Sequence, residues 1–190
     1  VDADSGTVLV DLEAGKRVAP ASLTKLMTAY VVFHALRDDL ISLEEEATVS
    51  RKAYRTPGSR MFIEINSRVS VQDLLMGMIV QSGNDASVAL AEHIAGSEEV
   101  FAEMMNRYAQ ELGMSGSHFQ NATGLPGDNH HSTARDMATL AGALINDFPE
   151  YYRWYSVREF TYNEITQRNR NRLLWRDPTV DGFKTGHTDA

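Results

Sequence analysis

The chain has 190 residues, 43% hydrophobic and 23% charged, which suits one domain with a real core, or one core with a small lobe. Its formal net charge of −8 argues against general affinity for nucleic acid, so an anionic substrate must be held by a local basic site. There is no cysteine, which excludes disulfides, thiolate catalysis and Cys-type zinc sites, and no apolar run approaches the ~18 residues of a membrane span.

Val1 reads as the end of a strand, residues 2–6 carry turn chemistry, and residues 7–12 form a β-rich return. The chain thus opens inside an expected hairpin and stops four residues past Lys184-Thr185-Gly186, so both ends read as cut. A first helix is expected over about 21–34, burying Leu23, Leu26, Met27, Tyr30 and Val31. Residues 43–54 mix acidic and β-branched residues and predict a short strand and loop. Ser70 opens the next helix, with Asp73 three residues on and Leu74, Leu75, Met78 and Ile79 on its apolar face. That helix is expected to end at Ser82-Gly83, with Asn84 capping another over 85–94. Phe101, Met104, Met105, Tyr108 and Leu112 mark a third helix, closed by Gly113. Residues 118–131 read as loop, Ser132 or Thr133 caps a helix to about 146, and 148–155 is an aromatic stretch with a short helical turn. Residues 159–172 alternate like a hairpin with Asn169-Arg170-Asn171 in or near its tip, and 179–188 reads as a strand. Strands at both ends with helices between them predict an α+β fold: an antiparallel sheet from N- and C-terminal strands with an inserted, mainly helical lobe.

Three short motifs carry chemistry. Pro20-Ala21-Ser22-Leu23-Thr24-Lys25 sets a serine and a lysine three apart at a helix start, on one face. A hydroxyl becomes a nucleophile when a base takes its proton, and a lysine amine serves if its pKa is pushed down. Ser-x-x-Lys alone arises about once by chance in such a chain, and it also reads as a helix cap with a solvated lysine. Gln81-Ser82-Gly83-Asn84-Asp85 adds a second hydroxyl at a helix junction, suited to proton relay, with Asn84 able to orient Lys25 or bind a substrate amide. Lys184-Thr185-Gly186 offers a charge, a hydroxyl donor and close backbone approach, which together suit a terminal carboxylate. A second ammonium near Lys25 would also lower its pKa. Each motif has a plain structural alternative, a cap or a turn, but the three in this order make a joint signal. The backbone N–H groups of Ser22 and His187 are the candidate oxyanion donors.

These motifs, with His118-Phe119, Gly124-Leu125, Ser132-Thr133-Ala134-Arg135-Asp136-Met137, Gln167-Arg168-Asn169-Arg170-Asn171 and residues 180–188, resemble the low-molecular-mass penicillin-binding proteins. Those are the serine-type D-alanyl-D-alanine carboxypeptidases of peptidase family S11, and the likeness covers essentially the whole chain. The resemblance implies a β-lactamase/transpeptidase-like fold in which Ser22 attacks the carbonyl between the two D-alanines ending a peptidoglycan stem peptide. Lys25 takes the serine proton, Ser82 helps pass a proton to the departing D-alanine, and water hydrolyses the acyl-enzyme. Lys184 and Thr185 hold the terminal carboxylate, with Asn84, Gly186 and His187 completing the substrate-binding wall. The resemblance also implies no metal or organic cofactor, β-lactam antibiotics as covalent inhibitors, and work in the periplasm or on the outer face of the inner membrane. Against that pattern residues 1–190 form a single, partial catalytic domain. The family's later strands, second domain and C-terminal membrane anchor are expected in the parent protein.

Other readings fit these residues less well. A class A β-lactamase uses a Glu-x-x-Leu-Asn segment, which is absent here, and an aspartate where Gly83 stands. A penicillin-binding sensor without turnover shares the motifs and stays open. Gly113-Met114-Ser115-Gly116-Ser117 misses a nucleophile elbow at its last residue. Asp128, His130 and His131 read as solvent-exposed loop residues rather than metal ligands. Arg153, Arg158, Arg168, Arg170, Arg172 and Arg176, interleaved with aromatics, read as the solvated face of a hairpin rather than an RNA surface.

Overall fold

The computed structural model of the chain describes residues 1–187. At its centre is helix α1 (Thr24–Arg37), apolar on nearly every side: Met27, Ala29, Val32 and Phe33 are all fully buried. Such a helix is stable only when surrounded. Around it pack α4 (Asn84–Ala95), α5 (Glu98–Glu111) and α6 (Ala134–Asp147), with α3 (Val71–Val80) against α4. Three alanines of α4, Ala86, Ala89 and Ala91, are buried and allow close approach. α5 is amphipathic and buries Phe101, Ala102, Met105 and Ala109 at helical spacing.

Local sequence sets the helix starts. Ser70, Ser97 and Thr133 each accept a backbone N–H from three residues on, at 3.0, 3.2 and 3.0 Å. Each such cap stabilises its helix by about 1 kcal/mol. The stretch 43–54 divides differently from expectation: β1 (Glu46–Thr48) is followed by a short helix, α2 (Arg51–Arg55), capped by Ser50. β1 pairs antiparallel with β2 (Arg68–Ser70), Ala47 opposite Val69. After α6 come α7 (Pro149–Tyr152) and a 3₁₀ turn, Arg153–Ser156, the helical turn expected there.

The hairpin over 159–172 forms, but its tip lies elsewhere. β3 (Glu159–Tyr162) and β4 (Ile165–Arg168) are joined by Asn163-Glu164, both at positive φ, 48° and 63°. Two left-handed residues match the twist of a two-residue hairpin turn. Asn169-Arg170-Asn171 therefore follows β4 instead of capping it, and Asn169 and Asn171 are buried. Asn169 Nδ2 donates to the Val157 carbonyl at 2.8 Å, and Asn171 Nδ2 donates to the Gly182 carbonyl at 2.9 Å. A four-residue helix, α8 (Leu173–Arg176), comes next.

The sheet expected from the chain's two ends is not formed among the described residues. Residues 1–17 make no ladder, Val18 makes one isolated bridge with Ser132, 178–179 form a turn, and 180–187 have no strand partner. Thr188, the last residue of the expected C-terminal strand, lies outside the described residues. A strand exists through the hydrogen bonds of its neighbour, and among the described residues neither segment meets one. Leu9, Val10 and Leu12 are accordingly exposed. The mixed helix-and-strand class and the mainly helical lobe hold, with sheet reduced to two antiparallel pairs.

Candidate active site

Ser22 does not lie in the α-helix itself. Ala21 takes a positive φ of 46°, residues Ala21–Leu23 make a 3₁₀ turn, and α1 begins at Thr24. The turn leaves Ser22 half-buried on a cleft wall while Lys25, in the first turn of α1, is 1% exposed. Lys25 Nζ lies 3.3 Å from Ser22 Oγ, 2.7 Å from Asn84 Oδ1 and 2.5 Å from the Thr123 carbonyl oxygen. As an ammonium it donates to all three. As a neutral amine it has two N–H groups for Asn84 and Thr123, and a lone pair left for the Ser22 hydroxyl. Burial pushes the Lys25 pKa well down, the Lys184 charge pushes the same way, and buried Asp85 opposes them.

Asn84 was expected to cap α4. It is instead the first helical residue, after Gly83, and its side chain turns inward. Its Nδ2 donates to the Pro57 carbonyl at 2.6 Å, which fixes the amide so that Oδ1 faces Lys25. The neighbouring Asp85 is fully buried and accepts the backbone N–H groups of Met61 and Phe62, each at 3.0 Å. The loop over 57–63 is thereby pinned to α4, and the Pro57 carbonyl with it.

Ser82 sits between α3 and α4 at φ 67°, left-handed for a residue with a Cβ, a conformation that costs about 1–2 kcal/mol. It is 4% exposed, lines the same cleft as Ser22, and its Oγ has no hydrogen-bond partner among the described residues. Strain and an unpaired buried hydroxyl together fit a reacting or substrate-binding group better than a structural one.

The loop over 118–131 supplies a wall that motif reasoning missed. Gly124, at φ 86°, passes so close to the serine turn that a Cβ there would overlap the Ala21 carbonyl. This backbone-to-backbone approach brings the Thr123 carbonyl onto Lys25. Asn121 Oδ1 shapes the bend by accepting the N–H groups of Thr123 and Gly124 at 3.1 and 2.7 Å. A carbonyl contributes whatever its side chain is, so only the glycine signals it in sequence. His130 is also corrected: it is buried, not solvent-exposed. Its Nδ1 accepts the Gln120 N–H at 3.0 Å, so Nε2 carries the proton and donates to Thr24 Oγ1 at 2.8 Å. Burial, with His118 and His131 nearby, pushes its pKa down to about 4. No group of metal-type ligands occurs among the described residues.

Lys184, Thr185, Gly186 and His187 close the other side. A Cβ on Gly186 would come within 3.1 Å of Leu23 Cγ and 3.2 Å of the Pro20 oxygen, so the segment lies flat on the serine turn. Thr185, Gly186 and His187 line the cleft, of about 800 Å3, together with Ser22 and Ser82. Lys184 is buried, and its Nζ donates to the Thr185 carbonyl at 2.8 Å. Burial and the Arg170 charge push its pKa down to about 7. Arg170 lines the cleft too, its Nη2 donating to Ser59 Oγ at 3.1 Å. Arg170 is exposed, as the reading of a solvated face expects, but it follows β4 instead of lying on the hairpin, and it faces the cleft. The cleft therefore combines a hydroxyl beside a buried amine, a second hydroxyl, and a cationic wall with a threonine. These are the parts of an acyl transfer to serine from a donor bearing a carboxylate.

Comparison with known proteins agrees along the whole length. The family model for D-alanyl-D-alanine carboxypeptidase matches residues 1–190. The chain is 49% identical to the D-alanyl-D-alanine carboxypeptidase DacC of Escherichia coli (strain K12), over 99% of this chain and 49% of that protein. It is 47% identical to the carboxypeptidase DacA of Haemophilus influenzae, again over 99% and 49%. Penicillin-binding protein 5 from Haemophilus influenzae superposes with a TM-score of 0.95 at 47% identity, covering 98% of this chain and 56% of that one. The ampicillin-bound form of penicillin-binding protein D2 from Listeria monocytogenes superposes at 0.85 with 32% identity, over 98% and 76%. The chain spans about half the length of the curated relatives it matches.

Proposed function

The chain belongs to the D-alanyl-D-alanine carboxypeptidase family, peptidase family S11, and on that footing we propose that it removes the terminal D-alanine from peptidoglycan stem peptides through an acyl-enzyme on Ser22. Lys25 acts as the neutral base. It takes the Ser22 proton as Oγ bonds to the carbonyl carbon between the two D-alanines. The oxyanion is met by the backbone N–H groups of Ser22 and His187. As the tetrahedral carbon collapses, the peptide C–N bond breaks and the proton passes from Lys25 through Ser82 to the leaving nitrogen. Water then gives a proton to Lys25 and attacks the ester carbonyl, and as the bond from that carbon to Ser22 Oγ breaks, Lys25 returns the proton to Oγ. Lys184, Thr185 and Arg170 hold the terminal carboxylate, and Asn84 keeps Lys25 aimed at Ser22.

The observation that carries this reading is the buried Lys25 amine, 3.3 Å from Ser22 Oγ with its pKa held well down. A lysine solvated at its ordinary pKa would be a cation at neutral pH and no base. In this reading residues 1–190 are part of one catalytic domain, β-lactams acylate Ser22, and the whole protein works outside the cytoplasm on a membrane-tethered chain. The ampicillin-bound Listeria neighbour supports the β-lactam step.

The test follows intact mass after brief exposure to penicillin, together with D-alanine release from a D-Ala-D-Ala peptide. A single long-lived adduct on Ser22 and free D-alanine are expected, and Ser22→Ala loses both while keeping the wild-type Tm. An adduct that survives Ser22→Ala puts the nucleophile elsewhere. An adduct without D-alanine release makes the protein a sensor, and rapid loss of the adduct with penicillin consumed makes it a β-lactamase.

A further inference from the structure

The cleft lining carries more positive charge than a single terminal carboxylate requires. Arg168 ends β4, Arg172 precedes α8 and Arg176 ends it, and all three line the cleft, as Arg170 does. No acidic side chain lines the cleft among the described residues, although the whole chain carries a net charge of −8. Arg168 is engaged by Glu159 at 3.1 Å and Arg170 by Ser59. Arg172 and Arg176 are exposed and have no ion pair among the described residues. Trp175, 42% exposed, stands between them in sequence and lines the same cleft.

Like charges gathered on one wall repel one another, and nothing in the packing demands them there, because their side chains are exposed. A guanidinium presents a planar fork of donors matched to a carboxylate, and an exposed tryptophan gives the ligand's apolar stem a surface to lie on. We propose that Arg172 and Arg176, with Trp175, form a subsite for a second carboxylate on the acyl-donor peptide, upstream of the scissile bond. The chain then selects acidic peptides over peptides in which that carboxylate is an amide. The proposal rests on the acyl-serine reading of Ser22 and names the substrate class of that site.

The experiment uses the full-length protein and two synthetic peptides ending in D-Ala-D-Ala, identical except that one carries an acidic side chain and the other its amide. Wild type is expected to favour the acidic peptide by about fivefold in kcat/KM at low salt, the scale of two exposed charge pairs, with the ratio shrinking as salt rises. Arg172→Gln with Arg176→Gln should bring the ratio close to one, and Arg172→Lys with Arg176→Lys should keep most of it. A wild-type ratio of one, or a ratio untouched by the double glutamine variant, overturns the proposal. Should neither peptide release D-alanine, the carboxypeptidase reading fails separately. The two peptides are then compared by how far each slows formation of the penicillin adduct. Stronger slowing by the acidic peptide in wild type, but not in the glutamine variant, upholds the subsite, and equal slowing in wild type overturns it.

Discussion

The Asn84 side-chain oxygen accepts a 2.7 Å hydrogen bond from the Lys25 amine, while the Asn84 amide nitrogen is committed to the Pro57 carbonyl. The amide cannot rotate without losing both bonds, so Lys25 faces a neutral acceptor. A carboxylate in that place would hold the lysine as an ammonium.

Asn84→Asp is therefore expected to raise the Lys25 pKa and starve Ser22 of its base. Penicillin acylation at neutral pH should fall at least about tenfold, the effect of one pKa unit, and the rising limb of the pH–rate profile should move to higher pH. Adduct formation measured by intact mass across pH 6–10 checks this. A slower reaction with an unmoved limb would mean that Asn84 acts on geometry alone.

Lys184 gives a stability test with a defined sign. Its folded pKa is pushed down to about 7 from an unfolded value of 10.5. Between those values the unfolded chain binds more protons, so stability rises with pH across that window and the penalty is fully present below it. Lys184→Met removes the penalty. Its Tm should exceed wild type at pH 6.5, and the margin should narrow by pH 9.5, with each 1 kcal/mol appearing as about 2–4 °C. Carboxypeptidase activity should drop in the same variant. A margin independent of pH would show that Lys184 is solvated in the folded protein.

His130 titrates in the acid range. Its pKa is lowered to about 4, so the unfolded state binds more protons from pH 6.5 down to 4 and stability falls as pH drops through that window. His130→Gln should flatten the Tm–pH curve there, though not level it, because burial also lowers His34. A curve as steep as wild type would place the acid lability elsewhere. The same variant loosens the bond to Thr24, between Ser22 and the rest of α1, so kcat should fall with it.

Gly124→Ala tests the approach of the loop to the serine turn. A Cβ at this left-handed position overlaps the Ala21 carbonyl and crowds Thr24 Oγ1. Overpacking and backbone strain together should cost about 2–4 kcal/mol and displace Ser22 from Lys25. Denaturant unfolding and the acylation rate should both register the change. A variant of wild-type stability would mean that the contact relaxes freely.

Much of the site was legible because its signals are local. Ser22 and Lys25 share a helix start, Ser82 and Asn84 a helix junction, and Lys184 to His187 one extended run, so spacing alone groups each set. The caps at Ser70 and Thr133 were legible for the same reason, since a hydroxyl and an N–H three residues apart meet whatever surrounds them. Resemblance to a family then joined the three motifs, which no local rule can do.

What the sequence determined by itself is the set of candidate site residues and the helices that carry them, because propensity, capping and apolar periodicity act over a few residues. Tertiary structure alone decided the rest. The Lys25 pKa falls, as a base would require, only when α1 is enclosed and Lys184, 159 residues on, stands within reach of its charge. The Thr123 carbonyl joins the site through backbone packing, and Asn84 turns from an expected cap into a ligand because Pro57 holds it. The terminal strands show the same dependence in reverse. Their β-rich residues specify a readiness to pair, but a ladder needs a partner's hydrogen bonds, and among the described residues neither segment has one.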